Sequence, residues 1–155
     1  MQYVSTRNSE VKVSSAEAII SGLAEDGGLF LPESLPFWSA QDIQELCRLD
    51  YPGRAAAVMG SFLTDYNSQN LLGYCNTAYA PERFTAPGTA PLIKISDSEY
   101  ILELFHGPTC AFKDFALQIL PLLLTAALKK QGVDKTVIIL VATSGDTGKA
   151  ALEGF

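Results

Sequence analysis

The chain has 155 residues, of which 48% are hydrophobic and 18% charged, with a formal net charge of −6. That length and balance suit a domain with a real core and exclude a disordered, solvating chain. The eleven Lys and Arg residues are scattered rather than gathered into a stripe, which argues against a nucleic-acid partner.

In chain order, the first ninety residues read as helical with loop connections. Ser14-Ser15-Ala16-Glu17 has capping-box spacing, so a helix is expected to run to about Leu23. Gly27-Gly28, Pro32 and Pro36 break it. Ser39-Ala40-Gln41-Asp42 offers a second capped start, for a helix to about Leu49. Pro52 suits the first turn of a third, through Leu63, and Ser68 is placed to cap a fourth, ending near Tyr79.

"APERFTAPGTAP" then reads as a linker or surface loop. "LIKIS" and "EYILELF" flank Asp97-Ser98, which predicts a β-hairpin. A helix is expected from about Lys113 to Lys130, bent at Pro121, which lacks the N–H for the ladder. Pro121 and Thr125 also interrupt the longest apolar run, so no membrane span is expected. "KTVIILVAT" reads as a strand covered on both faces, feeding "SGDTG" and a last helix, which together make an α/β unit.

No secretory pattern opens the chain. Cys47, Cys75 and Cys110 are odd in number, far apart and joined by one histidine, which gives neither a disulfide framework nor a metal site. A cytoplasmic location fits.

Two segments carry chemistry. Thr143 to Gly148, at the carboxyl end of the expected buried strand, combines glycines that let backbone N–H groups approach a ligand with the hydroxyls of Ser144 and Thr147. It suits a carboxylate or phosphate; an ordinary βα turn is the alternative. It is not a P-loop, because Thr143 stands where the first glycine belongs and Ala150 replaces the hydroxyl residue.

Lys113 is the second. A helix start disfavours an ammonium and flanking Phe112 and Phe115 would desolvate it, which makes the amine more readily neutral and nucleophilic toward an aldehyde. The alternative is a stem packed on the rings with its head in water, or pairing with Asp114 or Asp146. His106, the sole histidine, precedes Gly107-Pro108, and ordering that loop is its simplest role.

"YVSTRN", "GLAEDGGLFLP", "LELFHGPTCAFKDFALQ" and "ATSGDTGKAA", in that order, resemble threonine synthase, a pyridoxal-phosphate enzyme of the tryptophan-synthase-like fold type II group. The resemblance covers nearly the whole chain. It implies an α/β protein in which residues 1–90 form a mainly helical amino-terminal domain and residues 91–155 the first part of the catalytic domain, with an incomplete sheet. The implied reaction turns O-phospho-L-homoserine and water into L-threonine and phosphate.

By the same resemblance Lys113 is the lysine that joins covalently to pyridoxal phosphate and then carries protons. Phe112 flanks the cofactor, and Asp146 stands near its phenolic oxygen where cysteine-synthase-like relatives carry asparagine. Ser144, Gly145 and Thr147 receive the substrate carboxylate, and His106 and Thr109 help place the substrate phosphate. The family's cofactor-phosphate loop and the hydroxyl residue facing the pyridine nitrogen come from later sequence, so this chain alone is expected to be inactive. The expected macromolecular partner is the rest of the same polypeptide, or a second copy meeting the unfinished sheet. A phospholyase that releases a keto acid, and a non-catalytic piece acting only by association, are the alternatives.

Overall fold

The computed structural model describes residues 1–155 and is mixed α and β, with two small, separate sheets. Each of the four amino-terminal helices starts at a side-chain cap. Helix α1 (Ser15–Ser21) and helix α2 (Ala40–Cys47) open on reciprocal capping boxes, Ser14 with Glu17 and Ser39 with Asp42. Helix α3 (Tyr51–Phe62) is capped by Asp50, with Pro52 in its first turn. Helix α4 (Ser68–Ala78) is capped by Asn67 rather than Ser68, since the Asn67 side chain accepts from the N–H groups of Gln69 and Asn70. These contacts satisfy donors that a helix start leaves unpaired.

The amino-terminal part is not purely helical. Strands β1 (Tyr3–Ser5), β2 (Lys12–Val13) and β3 (Phe30–Pro32) form an antiparallel sheet in the order β2-β1-β3, with Tyr3 opposite both Val13 and Pro32. The expected hairpin is present as β4 (Leu92–Lys94) and β5 (Tyr100–Leu102), with Ile93 opposite Ile101. All six of its residues are exposed.

The core joins α4 to the later helices. Leu71, Cys75, Ala78 and Tyr79 pack with Phe84, Ile119 and Leu123, flanked by Ile19, Tyr51, Met59 and Phe115. Phe84, from the proline-rich stretch, is buried in this cluster, so the expected linker is anchored instead of free. Burial pushes the Cys75 thiol up to about 11, which keeps it an inert filler.

The helix expected over residues 113–130 is two pieces, α5 (Asp114–Leu117) and α6 (Leu120–Lys130). The break falls four residues before Pro121 because the proline ring would strike the carbonyl of Leu117, the residue four positions earlier. Residues 135–143, expected as a buried strand, have no regular structure and lie exposed, with Ile138 76% and Leu140 90% accessible. A strand needs a neighbour to hydrogen-bond, and no segment pairs with this one. Helix α7 (Asp146–Gly154) follows. No helix is long and apolar enough to cross a membrane.

Candidate active site

The α5 start is held from behind by aromatic packing. Phe115 lies 4.8 Å from Phe84 and 5.7 Å from Tyr51, ring centroid to ring centroid, and its carbonyl accepts a 2.9 Å bond from the Tyr79 hydroxyl. Burial raises the Tyr79 phenol, helped by Tyr51 and Cys75, so it stays a neutral donor. With Phe115 fixed, the residue two positions earlier is fixed as well.

That residue is Lys113, which stands at the N-cap position of α5. Its Nζ makes no hydrogen bond or ion pair, and neither Asp114 nor Asp146 pairs with it. The amine sits over the Phe112 ring, 4.7 Å from the centroid. Phe112 itself is 62% exposed, and Phe115, the other flanking ring, packs against the core.

The preceding turn is tightly made. Thr109 is buried, donating its hydroxyl to Asp114 Oδ1 at 2.7 Å and its N–H to Asp114 Oδ2 at 2.9 Å. Gly107 admits no side chain, since a Cβ there would lie 2.5 Å from Asp114 Oδ2. His106 is held by Glu103, Nε2 to Oε2 2.6 Å, and its carbonyl accepts from the Thr85 N–H at 3.1 Å. The imidazole therefore faces Glu103, in keeping with a loop-ordering role.

The loop from Thr143 to Thr147 opens helix α7 without a side-chain cap, on Gly145 with φ 142°. Thr143 Oγ1 accepts from the N–H groups of Gly145 and Gly148. The N–H groups of Ser144, Asp146 and Thr147 have no partner in the protein, and all three residues are exposed. This is a row of free donors at the positive end of an eight-residue-plus helix, open to an anion.

The two segments meet through Lys149, whose Nζ reaches the Thr109 carbonyl at 3.4 Å, and through Gly154, whose Cα lies against the Leu117 carbonyl. Lys113 and Phe112 thus stand at the start of α5 and Ser144, Gly145, Asp146 and Thr147 at the start of α7, two helices in contact with each other. Thr109 turns its side chain inward to Asp114, and His106 pairs with Glu103. The clefts of the chain lie elsewhere. The largest, about 450 Å³, is lined by Val11, Val13, Leu23, Asp26 and Phe30 among others, and none of the five principal clefts includes Lys113 or the 143–147 loop.

An unpaired amine beside an aromatic face fits the aldehyde end of pyridoxal phosphate, and an uncapped helix start fits a carboxylate. Sequence reasoning missed Asp114 and Lys149; a carboxylate immediately after the lysine, three residues before the next Leu-Gln pair, reads as solvent-facing, and only its burial marks it.

Comparison with known proteins identifies the family. A family model described as "Threonine synthase N terminus" matches residues 2–79. The chain is 41% identical to the threonine synthase of Pseudomonas aeruginosa over 99% of its own length and 32% of that protein, and 39% identical to human threonine synthase-like 1 over 99% of its own length and 22% of that protein. A crystal structure of PLP-bound threonine synthase from Brucella melitensis superposes with a TM-score of 0.91 at 38% identity, covering 100% of this chain and 33% of that one. The chain spans about a third of the length of the threonine synthases it matches.

Proposed function

The chain belongs to the threonine synthase family, and on that premise we propose that it is the amino-terminal part of a cytoplasmic enzyme converting O-phospho-L-homoserine and water to L-threonine and phosphate. Pyridoxal phosphate is the family's cofactor. The observation that carries the reading is the unpaired Lys113 amine over Phe112, at the start of a helix that packs against α7 with its uncapped start.

In this reading pyridoxal phosphate, when bound, supplies an electron-accepting ring that makes carbon-bound protons of the substrate removable. Lys113 would hold the cofactor covalently through its aldehyde, and once freed its Nζ would take and return protons at the substrate's α carbon. Phe112 and Asp146 would help hold the cofactor. The free N–H groups of Ser144, Asp146 and Thr147, with the Ser144 and Thr147 hydroxyls and the room left by Gly145, receive the substrate carboxylate.

At the other end a proton leaves the β carbon as phosphate departs from the γ carbon; a proton is then added at the γ carbon, water adds its hydroxyl at the β carbon, and a proton returns to the α carbon. His106 and the turn carrying Thr109 border that end. The Thr109 hydroxyl is already committed to Asp114, so its part is to shape the turn. The division near residue 90 belongs to the same reading: a mainly helical first part, then residues 91–155 opening the catalytic part, completed by the rest of the polypeptide or a second copy.

The test is borohydride reduction of the protein, expressed from its own gene and incubated with pyridoxal phosphate, followed by peptide mapping. Selective modification at Lys113 that disappears in Lys113→Ala is the expected result. Modification spread evenly over the lysines would end the reading. The one second reading, elimination of phosphate with release of a keto acid, is separated from threonine formation by product analysis.

A further inference from the structure

We propose that Asp114, Thr109 and Lys149 form a clamp that sets the Lys113 amine against the 143–147 loop, which makes Asp114 and Lys149 positioning residues for the proposed reaction. The inference rests on the proposed role of Lys113 and concerns how that role is prepared before any ligand arrives.

Asp114 is fully buried, yet no Lys, Arg or His pairs with it. Leaving a carboxylate without a cation inside a protein is costly unless hydrogen bonds compensate. Both of its oxygens are spent on a single residue, Oδ1 on the Thr109 hydroxyl and Oδ2 on the Thr109 N–H. The space beside it is so close that residue 107 must be glycine. Thr109 is therefore held at two of its polar atoms, and its third, the carbonyl, accepts from Lys149.

The strain next door fits such a device. Cys110 has φ 59°, a left-handed backbone unusual for a residue with a side chain, and the Cys110 N–H closes the turn onto the Gly107 carbonyl at 3.1 Å. A conformation of this kind is unfavourable and persists only where surrounding contacts over-determine it. Pinning Thr109 at every polar atom does so. The strained residue is three positions before Lys113, so the direction in which α5 sets off is fixed by the turn.

Lys149 supplies the link between motifs. It lies in the first turns of α7, just after the anion-receiving loop, and its stem crosses to the α5 turn. With Gly154 packed on the Leu117 carbonyl at the far end, α7 is tied to α5 at two points along its length. Geometry held before binding is what lets a nucleophile and an anion site act on one small molecule without a further ordering cost.

Two readouts on the protein expressed from its own gene test the clamp. Hydrogen exchange over residues 107–114 reports the clamp itself, without cofactor. Borohydride capture of pyridoxal phosphate at Lys113 reports its consequence. Lys149→Met, an exposed change that leaves the core untouched, is expected to speed exchange in that segment at least threefold and to cut capture at Lys113 at least threefold, with α4 protection unchanged. Asp114→Ala is expected to do more on both counts. Asp114→Asn keeps shape, one acceptor for the Thr109 N–H and a donor toward its hydroxyl, and is expected to restore both to within about twofold of the parent.

Exchange unchanged in Lys149→Met and Asp114→Ala would overturn the clamp. Faster exchange with undiminished capture would also overturn it, leaving a purely structural turn, and an Asp114→Asn as impaired as Asp114→Ala would show that charge rather than geometry matters. Should Asp114→Ala fail to fold, Lys149→Met alone decides. Absence of capture in the parent protein would instead sink the proposed role of Lys113, so the two failures are separable.

Discussion

Two regions with similar apolar content meet opposite fates. Leu71, Cys75, Phe84, Ile119 and Leu123 come from segments distant in sequence and close into one core, whereas Ile93, Ile95, Ile101, Val137, Ile138 and Leu140 stay exposed on the hairpin and the extended stretch. The difference is in what each secondary structure needs. A helix satisfies its own backbone and then needs only a surface to lie on; the stretch at 135–143 has no strand to pair with, and the hairpin, though paired with itself, has nothing packed on its faces. Apolar sequence alone does not decide what is buried.

The largest effect that tests this contrast is in the core. Phe84→Ala removes a ring 2% exposed that touches Tyr79 at 5.8 Å and Phe115 at 4.8 Å between centroids. A loss of about 3–5 kcal/mol in urea unfolding is expected, the range for an aromatic deleted from a packed interior. A loss below about 1 kcal/mol would mean that the proline-rich stretch is loosely attached after all, and that the core does not cross it.

Next comes acid. Burial pushes the Asp65 carboxyl up, but bonds from the Ser15 hydroxyl, from Lys130 and from the Ala16 N–H, with the Lys130 charge at 3.0 Å, outweigh it and hold the group below its usual 3.8. A carboxyl lower in the folded state than in the unfolded chain contributes stability above the unfolded value and loses it as pH falls through the folded one. This contact ties α1 to α6, so unfolding free energy should decline as pH drops below about 4, and Asp65→Asn should make that decline shallower. An equally steep acid limb in the variant would place the acid sensitivity elsewhere.

How much of this was legible in the sequence depends on how local the cause is. The helices were, because a cap is written within four residues, as at Ser14 with Glu17 and Ser39 with Asp42. The amino-terminal sheet was not: Tyr3-Val4-Ser5 is too short to show alternation, and its β3 partner is some twenty-five residues away. Pro121 announced a break, and its steric reach back to Leu117 explains where it falls. The expected strand at 135–143 failed because pairing is a property of two segments. At the site, Lys113 and the 143–148 loop stood out by residue type alone, while Asp114 and Lys149 look like ordinary surface charges until burial and distance are known.

A smaller effect separates cap strength from helix importance. Ser14→Ala should cost about 1 kcal/mol of global stability, since it removes an acceptor for the Glu17 N–H on a helix whose Ser15 and Ala16 are buried. Ser39→Ala removes the same kind of cap from α2, which buries none of its residues. There the loss should appear as faster hydrogen exchange in residues 40–47 with little change in the global midpoint, because fraying of an exposed helix is a local event. Equal global losses in the two variants would show that α2 is coupled to the core as firmly as α1.

The smallest expected effect tests the open region. Leu140 is 90% accessible and its segment has no ladder, so Leu140→Gln removes no buried apolar area and leaves no unpaired group. Surface changes of this kind fall within about 0.5 kcal/mol. An unchanged urea midpoint, beside a large fall for Phe84→Ala, would establish that residues 133–142 contribute nothing to the stability of this chain. A drop of more than about 1 kcal/mol at Leu140 would exceed what an exposed side chain can lose. The segment would then be packed against something in solution, and the contrast between a self-sufficient helical core and an unpartnered strand would have to be given up.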